Sequence, residues 1–210
     1  VPDFPLQPEI SRAKSARTFV LLTAFWNIVT YLVFGSFLAA ADASDLEGWT
    51  GIGIFAFFAV FAVIGLVLAV LAVRSLVILR YAPQPVLSLP VATLPVGSAA
   101  NLSWHIDGQR RRVQSLALTL EGMEEVIYTS GTDTSTDRHV FHQLSLYDSG
   151  AFQPTTEGRN RIFIPADTMW SWSARHNKIL WQIRVKMRLH GLPGTDERFR
   201  FTVVPAGPVA

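Results

Sequence analysis

His139 and His142 stand three residues apart, and on a helix that spacing would put two imidazoles on one face, where they could chelate zinc. On a strand an odd spacing turns them to opposite faces, and the surrounding residues read as strand, so no metal site is expected. Serine, histidine and aspartate all occur, but no G-x-S-x-G or comparable elbow frames a nucleophile. Cysteine is absent, which excludes a thiolate metal site, a disulfide framework and a cysteine nucleophile. Asp167, Asp196 and Glu197 flank turns, where carboxylates commonly accept bonds from backbone amides. The expectation is a chain with no catalytic residue, no cofactor and no metal.

The residues with something left to say are cations. In Lys178 to His190 the odd positions are Ile179, Trp181, Ile183, Val185, Met187 and Leu189, and the even positions are Lys178, Leu180, Gln182, Arg184, Lys186, Arg188 and His190. Alternation with period two is the pattern of a strand with one apolar and one polar face. After Gly191-Leu-Pro-Gly194 the device repeats, with Phe199, Phe201 and Val203 inward and Arg198, Arg200 and Thr202 outward. A hairpin through the Pro/Gly turn would bring Arg184, Lys186, Arg188, Arg198 and Arg200 onto one face. Opposed like charges are unfavourable in a sheet. With no acid recognised in either outward row, the reading is a surface that meets lipid headgroups or an acidic subunit, weighed against a solvated face with acids from neighbouring strands. Arg110, Arg111 and Arg112, after the Asp107-Gly108 turn, form a second cationic group with the same two readings. Trp170 and Trp172 lie in a loop, either as exposed anchors or as plugs at the edge of the core.

These groups must be carried by something, and composition narrows what. Half of the 210 residues are hydrophobic and only 16% are charged, against about 25% in an average soluble chain. The formal net charge is +2, too even to suggest nucleic acid. The apolar residues concentrate in two runs, Thr18 to Ala41 and Ile52 to Val73, neither of which contains a charge. Crossing a bilayer core takes roughly 20 residues, so each run suffices, and together they predict a transmembrane hairpin. Arg12, Lys14 and Arg17 precede it, Arg74 and Arg80 follow it, and Asp42, Asp45 and Glu47 lie between the runs. Basic flanks stay on the cytoplasmic side, which predicts an inner-membrane protein with both termini cytoplasmic and the acidic connection outside. Gly35 with Ala39 and Gly65 with Ala69 are small-xxx-small pairs that let helices approach closely. Asn27 is either bonded across a helix interface or satisfied inside the hairpin, and Phe55, Phe57, Phe58 and Phe61 are read as facing lipid, with a partner subunit or bound pigment as the alternative.

The chain then divides into residues 1–17, an extended Pro-rich tail and helix entry; 18–81, the hairpin, with spans 18–41 and 52–73 and the second helix running on to about residue 80; and 82–210, a β domain. Strands are expected near Val86–Leu89, Ala100–Ile106, Val113–Leu120, Glu124–Thr129, His139–Leu146, Arg161–Ile164, Lys178–Leu189 and Arg198–Val204. Turn signals at Ser130-Gly131, Ser149-Gly150 and Glu157-Gly158 separate several of them, and the set reads as an antiparallel, immunoglobulin-like β-sandwich.

The ordered series Arg161-Ile-Phe-Ile-Pro165, Ser171 and Ser173, Ile179-Leu-Trp181-Gln-Ile-Arg-Val185, Gly191-Leu-Pro-Gly194 and Phe199-Arg-Phe-Thr-Val203 resembles the end of arrestin-like β-sandwiches in bacterial two-helix membrane proteins. Leu87-Ser-Leu-Pro90 and Pro95-Val-Gly97 resemble the start of that domain. The resemblance implies an arrestin-like sandwich over roughly Pro85 to Pro205 that binds proteins, and it implies no catalytic residues. Two functions follow as expectations. The first is a non-catalytic accessory subunit of a larger integral membrane complex, energy-converting among the options, with the hairpin packed on core subunits and the sandwich covering the cytoplasmic face. The alternative is a membrane-tethered adaptor that recruits soluble proteins or senses anionic lipid. Membrane lipids and other integral membrane subunits are the expected partners, with no nucleic acid among them.

Overall fold

The computed structural model describes residues 3–41, 48–130, 133–150 and 154–207. Asp42, Asp45 and Glu47 of the acidic connection, and Gly131 of one turn, lie outside them. The chain forms two compact units, one of residues Ser11–Arg80 and one in which Val1–Ile10 joins Tyr81–Ala210.

The first unit is a pair of helices, α1 (Arg12–Ala40) and α2 (Gly48–Tyr81). Ser11 starts α1 as an N-cap, its Oγ accepting from the Lys14 amide at 3.2 Å, which satisfies one of the amides a helix start leaves open. Both helices are long and apolar enough to cross a bilayer by length and composition, and 0% and 6% of their most apolar stretches are buried. A core helix of a soluble domain would be mostly buried. The helices meet along an aromatic seam. The Trp26 indole stacks on Phe61 at 5.7 Å and donates to the Phe61 carbonyl at 3.0 Å. Phe58 lies 4.6 Å from Phe34 and 5.8 Å from Phe37. Phe58 and Phe61 therefore pack on the aromatic rings of α1 instead of facing outward, while Phe55 and Phe57 stay exposed.

The second unit is a β-sandwich. Its strands are β1 (Phe4–Pro5), β2 (Gln84–Leu89), β3 (Thr93–Pro95), β4 (Ala99–Asp107), β5 (Val113–Ser130), β6 (Asp133–Asp148), β7 (Glu157–Phe163), β8 (Trp172–Ser173), β9 (Asn177–Leu189) and β10 (Leu192–Val204). One sheet has the order β1-β2-β4-β7; the other runs β3-β10-β9-β5-β6, with β8 paired to β9. Pairing is antiparallel except between β10 and β3, which are parallel, so the sandwich is mixed at that edge and not wholly antiparallel. One core joins the inner rows of both sheets: Leu87, Leu102, Trp104 and Ile162 from the smaller, Leu118, Trp181, Ile183 and Phe199 from the larger.

Three differences from the sequence reading have physical causes. Val113–Leu120 and Glu124–Thr129 are one strand of 18 residues, because Gly122 does not break it. The extra residue at this step is Phe141 of β6, since Gly122 pairs with His142 and Met123 with Val140, and a side chain at 122 would meet the Phe141 ring at 2.6 Å; the glycine makes room for Phe141 and Trp181 within a continuing ladder. Glu157-Gly158 lies inside β7, where the Trp104 ring packs over Gly158. The Pro-rich tail is part of the sandwich. Phe4 pairs with Leu89 and Pro5 with Ser88, the Leu6 amide donates to Leu87 O at 2.8 Å, and the Glu9 amide donates to Arg198 O at 2.8 Å. The tail runs from the edge of the smaller sheet to β10 of the larger, where Pro8 bridges to Phe199. Since β1 and β2 are neighbours, both helices are the connection between two adjacent strands of one sheet.

Candidate functional site

The inner row of β9 sets the outer one. From Trp181 to Leu189 the odd residues are buried in the core, so the even residues lie on the outer face, where Gln182 is itself covered. Arg198 pairs with Arg184, Asp196 with Lys186 and Arg200 with Gln182. The hairpin thus brings Arg184, Lys186, Arg188, Arg198 and Arg200 onto one face, as their parity requires.

That face is not free of acids, which corrects the expectation. β10 begins at Leu192 and not at Arg198, so Asp196 belongs to the outward row. Arg184 forks onto it, Nε at 2.8 Å from Oδ1 and a terminal nitrogen at 2.5 Å from Oδ2. Glu121 of β5 adds a carboxylate oxygen 3.5 Å from the same guanidinium and accepts from Gln182 Nε2 at 2.8 Å. Arg200 pairs with Glu9 of the tail at 2.6 Å. Of the opposed pair Arg184 and Arg198, Arg184 is held by its own carboxylates, which lowers the repulsion between them. The hydrogen bond from Arg184 holds the Asp196 carboxyl below its ordinary value, against a smaller upward push from burial, and raises the Arg184 guanidinium in return. Among the described residues, Lys186, Arg188 and Arg198 have no carboxylate at ion-pair distance. Lys186 and Arg188 border an open cleft of about 450 Å³ with Ser115, Asp148 and Thr195.

The second cationic group sits at one end of the sandwich. Gly108 takes a φ of 86°, the left-handed conformation that a tight turn needs. One turn of 3-10 helix, Arg110–Arg112, follows and leads into β5. The His190 amide donates to Arg112 O at 2.7 Å, and Gln114 bonds the His190 ring at 3.0 Å, which ties this turn to the β9–β10 turn at Gly191. Arg110 lies 3.8 Å from Glu157, both well exposed, and Arg112 bonds the Gln109 side chain. Gln84 pairs with Asp107, so the strand that leaves α2 is hydrogen-bonded at the same end.

A third group of charges lies at the far end of the larger sheet. Burial pushes the Glu125 carboxyl up, but the hydrogen bond and charge of Arg138 and the charge of Lys178 outweigh it and leave the group below its ordinary value. His139 pairs with Glu124 and His142 with Gly122. The bulge between them resets the alternation, so the two histidines share a face instead of opposing. His142 packs against the Trp181 ring at 5.4 Å and His139 is exposed. Among the described residues no cluster of three His, Asp or Glu could hold a metal.

Trp170 and Trp172 are half exposed and, with Met169 and Ile179, line an apolar hollow of about 220 Å³. Ser171 anchors their loop, accepting from the Val203 amide at 2.9 Å while its own amide donates to Val203 O at 2.8 Å. In the helices, Gly65 lies under Asn27, where a side chain would come within 2.6 Å of its Oδ1. Asn27 Nδ2 donates to Thr23 O at 2.8 Å, within its own helix. Ala69 is half-buried; Gly35 and Ala39 are exposed, and a side chain at Gly35 would meet nothing within 4 Å. Sequence reasoning missed Glu9 and Glu121 and read Asp196 as a turn residue and not as part of the outward row. Only Asp196 left a local trace, since it shares parity with Arg198 and Arg200.

These features define a two-helix chain whose β-sandwich carries a partly neutralised basic face and a separate cationic turn. No protein-family model matches it, and a search of curated proteins finds no match. Among solved structures it is similar to Spo0M, a sporulation control protein from Bacillus subtilis, with a TM-score of 0.42 and 14% identity, over 60% of this chain and 50% of that one.

Proposed function

We propose that this chain is a non-catalytic accessory subunit of an integral membrane complex, with α1 and α2 spanning the bilayer as a hairpin and an arrestin-like sandwich held at the cytoplasmic face. The observation that carries the reading is the insertion of both helices between the neighbouring strands β1 and β2. The strand before α1 and the strand after α2 belong to one sheet, so both helix ends lie on one side of any bilayer the helices cross. The basic flanks Arg12, Lys14, Arg17, Arg74 and Arg80 favour the cytoplasmic side. The exposed Gly35 and Ala39 leave a surface on α1 that a partner helix can approach closely.

The chain has no native cysteine, so topology is testable by single introductions. Ser44→Cys, between the helices, should react with an impermeant maleimide on intact cells. Thr202→Cys, exposed on β10, should react only after lysis. The reverse labelling would overturn the orientation, and equal labelling of both would overturn the hairpin. Purification in mild detergent should return a stoichiometric complex with other membrane subunits.

A second reading, a tethered adaptor for soluble proteins, is favoured by the exposed Trp170 and Trp172 around their apolar hollow, since aromatic residues and methionine are enriched at protein interfaces. A chain that purifies alone but captures partners, and loses them on Trp170→Ala/Trp172→Ala, would favour it over the first.

A further inference from the structure

We propose that the turn carrying Arg110, Arg111 and Arg112 is a headgroup-binding surface for anionic lipid of the leaflet from which the helices emerge. The inference rests on the reading that the helices span a bilayer.

Chain connectivity makes the first argument. Only Ala82 and Pro83 separate the last residue of α2, Tyr81, from Gln84, which pairs with Asp107. At ~3.5 Å per residue this link spans about 10 Å at most. The uncharged run of α2 ends at Val73, and the eight residues from Arg74 to Tyr81 rise ~12 Å as helix. On the other side, the six residues from Arg12 to Arg17 rise ~9 Å before the uncharged run of α1 begins. Both helices thus release the chain roughly 9–12 Å beyond the hydrocarbon core, just past a headgroup layer of about 5–8 Å. The Asp107–Arg112 turn is held within reach of that layer on a short leash.

Charge makes the second. Of the cations on the sandwich, Arg184 and Arg200 are satisfied by acids of this chain. Arg111 has no carboxylate at ion-pair distance among the described residues, and Arg110 has only the distant, exposed Glu157. The acids at this end are Asp107, whose Oδ1 accepts from the Gly108 amide, and Glu157. Three successive arginines on a fixed 3-10 turn, with Arg188 in the adjacent strand pair, exceed them. An anionic leaflet attracts each nearby cation about fivefold, so three shift a docked against an undocked turn on the order of 100-fold. The attraction fades over about 8 Å at physiological salt, so it acts at this end and not at the Trp170–Trp172 end, which lies at the opposite terminus of β9.

The test uses the full chain in nanodiscs of phosphatidylcholine alone or with one lipid in three replaced by phosphatidylglycerol. Amide exchange of residues 107–114 is read by mass spectrometry. Exchange there should slow at least about tenfold in the anionic discs, and high salt should reverse it. Arg110→Gln/Arg111→Gln/Arg112→Gln should abolish the protection with exchange in β9 unchanged, while Arg175→Gln, at the far end, should keep it. Equal exchange in both kinds of disc, in a chain that has incorporated, would overturn the proposal and leave the spanning reading intact. Failure to incorporate would overturn both. Protection produced by inorganic phosphate in phosphatidylcholine discs would assign the site to a soluble anion, and protection found only with a copurified acidic subunit would assign it to protein; either outcome rejects the lipid.

Discussion

The outer face of β9 and β10 and the Asp107–Arg112 turn are both rich in arginine and differ in how that charge is met. On the face, Arg184 has Asp196 and Glu121, and Arg200 has Glu9. At the turn, Arg110 has only a 3.8 Å contact with Glu157, and Arg112 has the neutral Gln109. The acids of the face come from the tail, β5 and β10 itself. The turn lies at the end of the sheets, where β4 and β7 offer only their terminal residues Asp107 and Glu157. Arginine-rich segments therefore yield a surface whose Arg184 and Arg200 are neutralised within the chain in one place and a more open cationic group in the other, and the difference is one of location relative to the sheets.

The comparison breaks most completely if its support is removed. Trp181 is 1% exposed and lies in the inner row whose register sets the outer one. Trp181→Ala should cost about 3–5 kcal/mol in chemical denaturation and disorder the face, whereas the turn has no comparable inward anchor. A loss below 1 kcal/mol would show that the face does not depend on this core position. Glu121→Ala comes next. It leaves the Gln182 amide unpartnered in a buried position and should destabilise the sandwich by about 1–3 kcal/mol. Indifference to this change would mean that the face resembles the turn after all.

Asp196→Asn sharpens the contrast through pH. The folded-state carboxyl lies below its ordinary value because of Arg184. It contributes stability above the usual aspartate range, and the contribution disappears as pH falls through the lowered folded value, below about pH 4. The stability gap between wild type and variant should be under about 1 kcal/mol at pH 7, as for partly exposed pairs, and should close below pH 4. A gap that is constant from pH 7 to pH 3 would remove Asp196 as its source. The smallest effect belongs to the turn. Arg111→Gln should change stability by no more than about 0.5 kcal/mol at any of these pH values, and a larger loss would reveal a partner that stabilises the turn.

The features legible in the sequence were those with a short period. The uncharged runs marked the two helices, and alternation through Lys178–His190 marked a strand with its inward row from Trp181 onward. The Ser11 cap is likewise local, acting three residues away. Gly122 misled, because a glycine in a strand reads as a break unless the rings that occupy its empty side are known. Proline at positions 2, 5 and 8 signalled extended chain, and nothing nearby signalled that residues 4 and 5 would find strand partners at 89 and 88.

The sequence alone determined the segments: two stretches apolar enough to cross a bilayer and a region of alternating strands, since burial acts residue by residue and leaves its period in the chain. Tertiary structure decided which charges are neutralised and that the tail and the domain share a sheet. Arg200 and its partner Glu9 stand 191 positions apart, and a contact over that separation has no local signature. It exists because strand pairing carries the tail to β10, where opposite charges meet at hydrogen-bonding distance.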